Sequence, residues 1–281
     1  HTASASCRGT VLTDVQARAA GLIAGPTGNT LFAGTFCSKD FNDEFTALPS
    51  TERFGFLGRG TVEFSPSLQG YSELGLSRVS SFQKFQAPFF AGTTGLTQTS
   101  VGLRPFTYNI NFAPGVAGNP YTSSNARYVG VFGDLGTRDT AIESDTYRLL
   151  AGLKYSVGAW DGDSAVGWSR NEVTSTSFNA LRIDQLSSTF GVTPAPQPPV
   201  PVSTSSRYNL NNFTLNTDAI RNEFRTNISR NSASELWFVD SRASTEFGRL
   251  PGGPIGLSVG VEFRNEKIND VPSSIASQGL I

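Results

Sequence analysis

The sequence predicts an all-β fold: an antiparallel wall of long strands. Three observations carry that prediction. Six segments alternate apolar and polar residues with period two, the charge content is low while Gly and Phe are abundant, and short turns take turns with very long polar connections. Of 281 residues only 16% are charged, against a usual ~25%, while 29 are Gly and 21 are Phe. Apolar runs extend over only a few residues, too short for a transmembrane helix, so the apolar character must be spread over alternate positions of strands. The length allows one large domain or two small ones. A net charge of −1 with both signs interspersed gives no basic footprint and excludes nucleic acid as the expected partner.

The first strand runs near 53–64, where Phe54, Phe56, Gly58, Gly60, Val62 and Phe64 oppose Arg53, Gly55, Leu57, Arg59, Thr61 and Glu63. Ser65-Pro66-Ser67 then turns the chain, and Leu68, Gly70, Ser72, Leu74 and Leu76 alternate with Gln69, Tyr71, Glu73, Gly75 and Ser77 to about residue 80. The pattern returns near 147–157, with Tyr147, Leu149, Ala151, Leu153, Tyr155 and Val157 on one parity. A turn is expected around 158–162 and a fourth strand near 163–173. Trp160 and Trp168 share a parity eight residues apart, a spacing suited to the aromatic girdles that bracket a ~25 Å apolar band in membrane barrels. In the third hairpin, Trp237, Val239, Ser241, Ala243, Thr245 and Phe247 oppose Phe238, Asp240, Arg242, Ser244 and Glu246 over 235–247. A turn over 248–254 contains Leu250-Pro251-Gly252-Gly253-Pro254. Ile255, Leu257, Val259, Val261 and Phe263 then alternate without exception with Gly256, Ser258, Gly260, Glu262 and Arg264.

The expected organisation is therefore a single partial barrel domain over 1–281. Hairpins fall at 52–80, 147–173 and 235–266, joined by long loops at 81–146 and 174–234, with a loop region at 1–51. Both long connections far exceed the usual ~4–6 residues. Transmembrane barrels join strands by short turns on one side and long outer loops on the other, and every connection here obeys that order. Within the second loop, Pro194 to Pro201 reads as an extended spacer. Parity sorts the strand residues into two sets. Phe54, Phe56, Leu149, Leu153, Trp168, Val239, Leu257, Val259 and Val261 are expected to face lipid. Arg59, Glu63, Arg148, Lys154, Asp240, Arg242, Glu246, Glu262 and Arg264 are expected to face a lumen.

Little in the chain suggests catalysis. The single His is His1, so a Ser-His-Asp triad, a Cys-His pair or a His-based metal site would need the chain terminus, and no enzyme activity, metal or cofactor is expected. Asp161 and Asp163 lack the ligand-rich loop of a calcium site and read as an ordinary charged turn. Gly130 to Gly136 lacks the spacing of a phosphate cradle, and Asn212-Phe213-Thr214 and Asn227-Ile228-Ser229 match the glycosylation pattern by chance. The loop aromatics Phe82, Phe85, Phe89, Phe90, Phe106 and Tyr108 could stack on a solute or build small loop cores. Cys7 and Cys37, the only two cysteines, read as one loop-closing disulfide in an oxidising compartment. The opening at His1 with no leader pattern reads as a mature or truncated chain, and Ser273 to Ile281 as the start of another polar loop.

The stretch Glu52-Arg53-Phe54-Gly55-Phe56-Leu57-Gly58-Arg59-Gly60-Thr61-Val62-Glu63-Phe64, continuing through Leu68 to Arg78, resembles the barrel strands of TonB-dependent outer-membrane receptors. So does Leu250-Pro251-Gly252-Gly253-Pro254 with the alternation that follows it to Arg264. The resemblance covers strands and not loops. It implies a barrel of about 22 strands of which this chain is an internal segment, with a plug domain and a TonB-contacting segment that match no residues here. It also implies a place in the bacterial outer membrane. The expected partners are outer-membrane lipid, a small solute of unknown class, and TonB and the plug through the rest of the parent chain. The expected function is uptake of a scarce solute. A passive porin-like barrel is the first alternative and a soluble β-rich secreted or adhesin domain the second.

Overall fold

The computed structural model describes residues 7, 10–20, 34–38, 40, 44–90, 93–99, 102–108, 110–116, 119, 121–190, 208–210 and 212–278. An N-terminal unit holds β1 (Thr10–Thr13), α1 (Asp14–Ala19) and β2 (Thr35–Ser38), with β1 and β2 antiparallel. Thr13 caps α1 through a reciprocal exchange with Gln16. Cys7 is bonded to Cys37 with their Cα atoms 5.5 Å apart, tying the segment before β1 to β2.

The first long hairpin is β3 (Ser50–Ser65) and β4 (Leu68–Gln83). Short strands occupy the connection that follows: β5 (Phe89–Phe90), β6 (Thr93–Thr99), β7 (Gly102–Tyr108), β8 (Ile110–Phe112), β9 (Ala126–Tyr128) and β10 (Gly130–Val131). The second hairpin is β11 (Thr140–Val157) and β12 (Trp160–Leu181). Helices α2 (Ile183–Phe190) and α3 (Asp218–Phe224) lie in the next connection, and β13 (Arg225–Leu250), β14 (Gly253–Pro272) and the short α4 (Ser274–Ser277) close the described chain.

The six long strands form one antiparallel sheet in chain order, β3-β4-β11-β12-β13-β14. The three two-residue turns, Pro66-Ser67, Gly158-Ala159 and Pro251-Gly252, all lie at one end, and both long connections lie at the other. The sheet is open: among the described residues β3 and β14 pair with one neighbour each and not with each other. Every strand exceeds its predicted span. Polar pairs such as Thr174 opposite Asn231 and Thr176 opposite Ser229 continue the ladder where apolar alternation has stopped. Ladder hydrogen bonds need no apolar side chain, which is why alternation alone underestimates strand length. The loops accordingly shrink from 81–146 and 174–234 to 84–139 and 182–224. The expected turn at 158–162 contracts to Gly158 (φ +64°) and Ala159, so Asp161 and Asp163 belong to β12 and not to a charged turn.

The register also fixes how the sheet leans. The row Leu68, Tyr155, Gly162, Ala243 crosses four strands at one ladder level. Relative to it the second turn lies about two residues further along than the first, and the third about seven. If the turns stand at one height, this stagger with ~4.8 Å between strands and ~3.3 Å per residue corresponds to a strand tilt of roughly 35–50°.

Among the described residues the buried apolar core is not between sheets. It lies in the two long connections, where Phe90, Ile110, Phe112, Phe132 and Leu135 from the first pack with Leu186, Phe190, Tyr208, Leu210, Phe213 and Phe224 from the second. The loops thus carry a joint aromatic core, with Tyr208 4.6 Å from Phe224 and 5.6 Å from Phe132 between ring centroids.

Candidate functional site

The two faces of the sheet differ throughout. Directly opposed residues in an antiparallel ladder share a face. One face therefore collects Phe56, Leu74, Leu149, Trp168, Val166, Trp237, Val239, Phe263, Val261, Val259 and their neighbours. No charged residue interrupts this face between the row of Leu74, Leu149, Trp168, Trp237 and Asn265 and the turn end. Among the described residues nothing covers it: Phe54 is 67% exposed, Val259 53% and Phe263 73%. Six strands by about ten residues give an exposed apolar patch on the order of 700 Å², beyond the few hundred Å² that soluble monomers tolerate. All nine residues expected on the apolar side are on this face, seven of them inside the charge-free band and Phe54 and Phe56 just beyond it, in the rows of Arg78 with Asp145 and of Tyr147 with Arg170. Along β11 the band runs from Leu149 to Val157, about 26 Å of strand or ~20 Å in height at a tilt near 40°.

Polar groups gather at the loop-side border of that band. Arg78 pairs with Asp145 at 2.7 Å, and Arg170 bridges Glu172 at 2.5 Å and Glu235 at 3.9 Å. Trp168 and Trp237 stand side by side with ring centroids 6.1 Å apart, and both indole N–H groups donate to the same Oε1 of Glu235, at 3.1 and 2.9 Å. Each ring therefore turns its apolar body into the band and its N–H toward the charged border. Trp160 marks the opposite border, on the same face. The sequence reading chose Trp160 and Trp168 but missed Trp237 and Glu235, whose link becomes visible only once β12 and β13 are in register.

The other face is polar and cross-linked. Tyr71 donates to Asp163 at 2.8 Å, and Arg242 donates to the second oxygen of Asp163 at 3.0 Å. Arg59 lies 3.5 Å from Glu73, and Arg59 and Lys154 both stand 5.9 Å from the centre of the Tyr71 ring. Arg264 joins Glu262 and Glu266. Of the charges expected on this face, Arg59, Arg242, Glu262 and Arg264 are paired. Glu63, Arg148, Asp240 and Glu246 share the face and make no ion pair among the described residues. Aromatic rings lie flat on glycines here: a methyl at Gly152 would meet Tyr71 at 2.3 Å, and one at Gly167 would meet Phe238 at 2.1 Å. The face is not purely polar, since Leu57, Leu150 and Leu236 share it.

Above the loop end, Asp134 accepts from Tyr208 and from Asn216 Nδ2 (2.9 Å), while Arg221 donates to the Asn216 carbonyl at 2.5 Å. Burial first, then the hydrogen bond to Asp134, pushes the Tyr208 phenol far above its usual range, and burial does the same for Tyr128. Of the loop aromatics named from the sequence, Phe90 enters this core and Phe85 meets Phe45 edge-on at 5.8 Å. Phe82 and Phe89 remain exposed. The side chains of Phe106 and Tyr108 and the Pro194 to Pro201 run lie outside the described residues. Asn212 caps a single 3-10 turn over Phe213–Leu215.

No group of three potential metal ligands occurs among the described residues, and no described helix is long and apolar enough to cross a membrane, which says nothing about strands. No family profile, curated protein or solved structure matches the chain.

Proposed function

We propose that this sheet is part of the wall of an outer-membrane β-barrel of the TonB-dependent receptor type, with its apolar face against lipid, its polar face lining the lumen and its long connections facing outward to capture a scarce solute. The observation that carries the membrane reading is the uncharged, uncovered band, ~20 Å high between Trp160 on one side and the Trp168, Trp237 and Glu235 cluster on the other. A soluble sheet would bury such a face against a second layer. The strand tilt and the sorting of short and long connections support a barrel. Its two unpaired edges argue for further strands, because an exposed ladder edge cannot persist in lipid. The receptor assignment rests on the strand resemblance and on the length of the outer loops, and a passive barrel would share the same wall.

All three Trp residues lie on the apolar face, so their fluorescence reports the environment directly. Reconstituted in vesicles of brominated phospholipid, the protein should lose most of its Trp emission, while iodide in the water should quench little. Emission unaffected by brominated lipid and readily quenched by iodide would reject the membrane wall in favour of a soluble β domain. Energy-dependent accumulation of solute in intact cells then separates a TonB-driven receptor from a passive pore.

A further inference from the structure

We infer that a cleft between the loop core and the polar face is a binding site for an apolar monoanion, such as an aromatic or alkyl carboxylate. The cleft has a volume of about 510 Å³, within the ~300–1,000 Å³ range of small-molecule sites. Its location is set by both long connections. Phe85 and Phe89 come from the chain after β4, Leu181 and Leu186 from the end of β12 and α2, and Ile228 from β13 forms the floor. Thr140, Ser177 and Ile228 belong to the polar face of the sheet, so the cleft opens where the loops meet that face. This inference rests on the reading of that face as the lumen, and the cleft would then be the last stop before it.

Two features point to the ligand class. The back wall is fixed, because Leu186 is fully buried and Phe90, also in the lining, is 5% exposed, both inside the loop core. A preformed apolar wall binds without first having to be ordered. The charged group in the lining is Arg138, exposed at the rim, whose guanidinium makes no ion pair among the described residues. The neighbouring Arg182 is instead held by Asp184. An apolar interior with one unspent cation at the rim orients an amphiphile in one way, ring or chain inward and carboxylate outward against Arg138.

Equilibrium dialysis of the detergent-solubilised full chain against 2-naphthoate and its uncharged analogue 2-naphthamide, corrected by protein-free micelles, tests this. Naphthoate should bind at one site two- to fivefold more tightly than naphthamide, the discrimination expected of an exposed Arg–carboxylate pair. Arg138→Gln should erase that preference and leave naphthamide binding unchanged, while Ser177→Phe, which fills the cleft, should weaken both. Equal retention of the two probes by the wild-type chain, or a naphthoate preference that survives Arg138→Gln, would overturn the inference. Arg138 is exposed, so its substitution leaves folding intact, as unchanged circular dichroism would verify. A negative dialysis result beside strong bromolipid quenching would remove this site and leave the barrel reading standing.

Discussion

Replacing Val259 by Arg tests the apolar face at its most sensitive depth. Val259 lies in β14 opposite Ala243, four residues from Ile255 and four from Phe263 on the same face. That is about 13 Å of strand in either direction, or ~10 Å of depth at a tilt near 40°. The side chain thus stands close to the middle of the band, where, if the proposed membrane wall holds, an Arg against lipid costs about 2–4 kcal/mol. The neighbouring Ser258 faces Ser244 on the polar side, so Ser258→Arg should cost well under ~1 kcal/mol. The two substitutions add the same side chain to adjacent residues of one strand, so the change in net charge cancels between them. Denaturant titration of protein folded in phospholipid vesicles should separate the variants by roughly 30-fold or more in the folding equilibrium. Equal midpoints for the two would refute the assignment of the faces.

Gly152→Ala should destabilise by about 1 kcal/mol, because its methyl displaces the Tyr71 ring from its hydrogen bond to Asp163. Gly256→Ala, with nothing within 4 Å, should be close to neutral in the same titration. Reduction of the Cys7–Cys37 bond, which closes 30 residues, should release about 3–4 kcal/mol of unfolded-state constraint from the N-terminal unit in the loop-entropy model. Hydrogen exchange should then rise in β1 and β2 and stay unchanged in the six-stranded sheet. The raised Tyr208 phenol gives an alkaline limit: its neutral form is favoured in the fold, so its contribution is complete below pH ~10 and is lost as pH climbs past the unfolded value. Tyr208→Phe should flatten that loss in a pH series monitored by near-ultraviolet circular dichroism, and an unchanged alkaline transition would count against it.

The strands and their faces were legible because alternation is a local signal. Ile255 to Phe263 declares its apolar side without reference to any partner, and Ser65-Pro66-Ser67 and Pro251-Gly252 announce their turns. Strand ends were not legible. From Asn171 to Ser177 and from Ile228 to Ser234 the ladder is sustained by backbone pairing through mostly polar residues, chiefly Ser, Thr and Asn, whose alternation carries little contrast. The loop core was hidden for a different reason. Phe132 and Tyr208 meet across 76 residues of chain, and no period relates them. Asp163 was misjudged because its partners, Tyr71 and Arg242, lie on two other strands and are set by register. The candidate cleft combines both difficulties, being assembled from loop and strand positions that only the pairing of β11, β12 and β13 brings together.

The joint loop core also constrains the order of assembly. Strand neighbours follow chain order, so each hairpin can form locally and add to the edge of the one before it, keeping loop-closure costs low for the wall itself. The core cannot form that way. Its first half, from Phe90 to Leu135, lies between β4 and β11, and its second half, from Leu186 to Phe224, between β12 and β13. Neither half has a partner until β4, β11, β12 and β13 all stand in register. Burial of Tyr208 against Phe132 is therefore a completion signal: a wall with a slipped or missing hairpin would carry its aromatic loops exposed to water, open to proteases, while a finished one would keep those rings packed against each other.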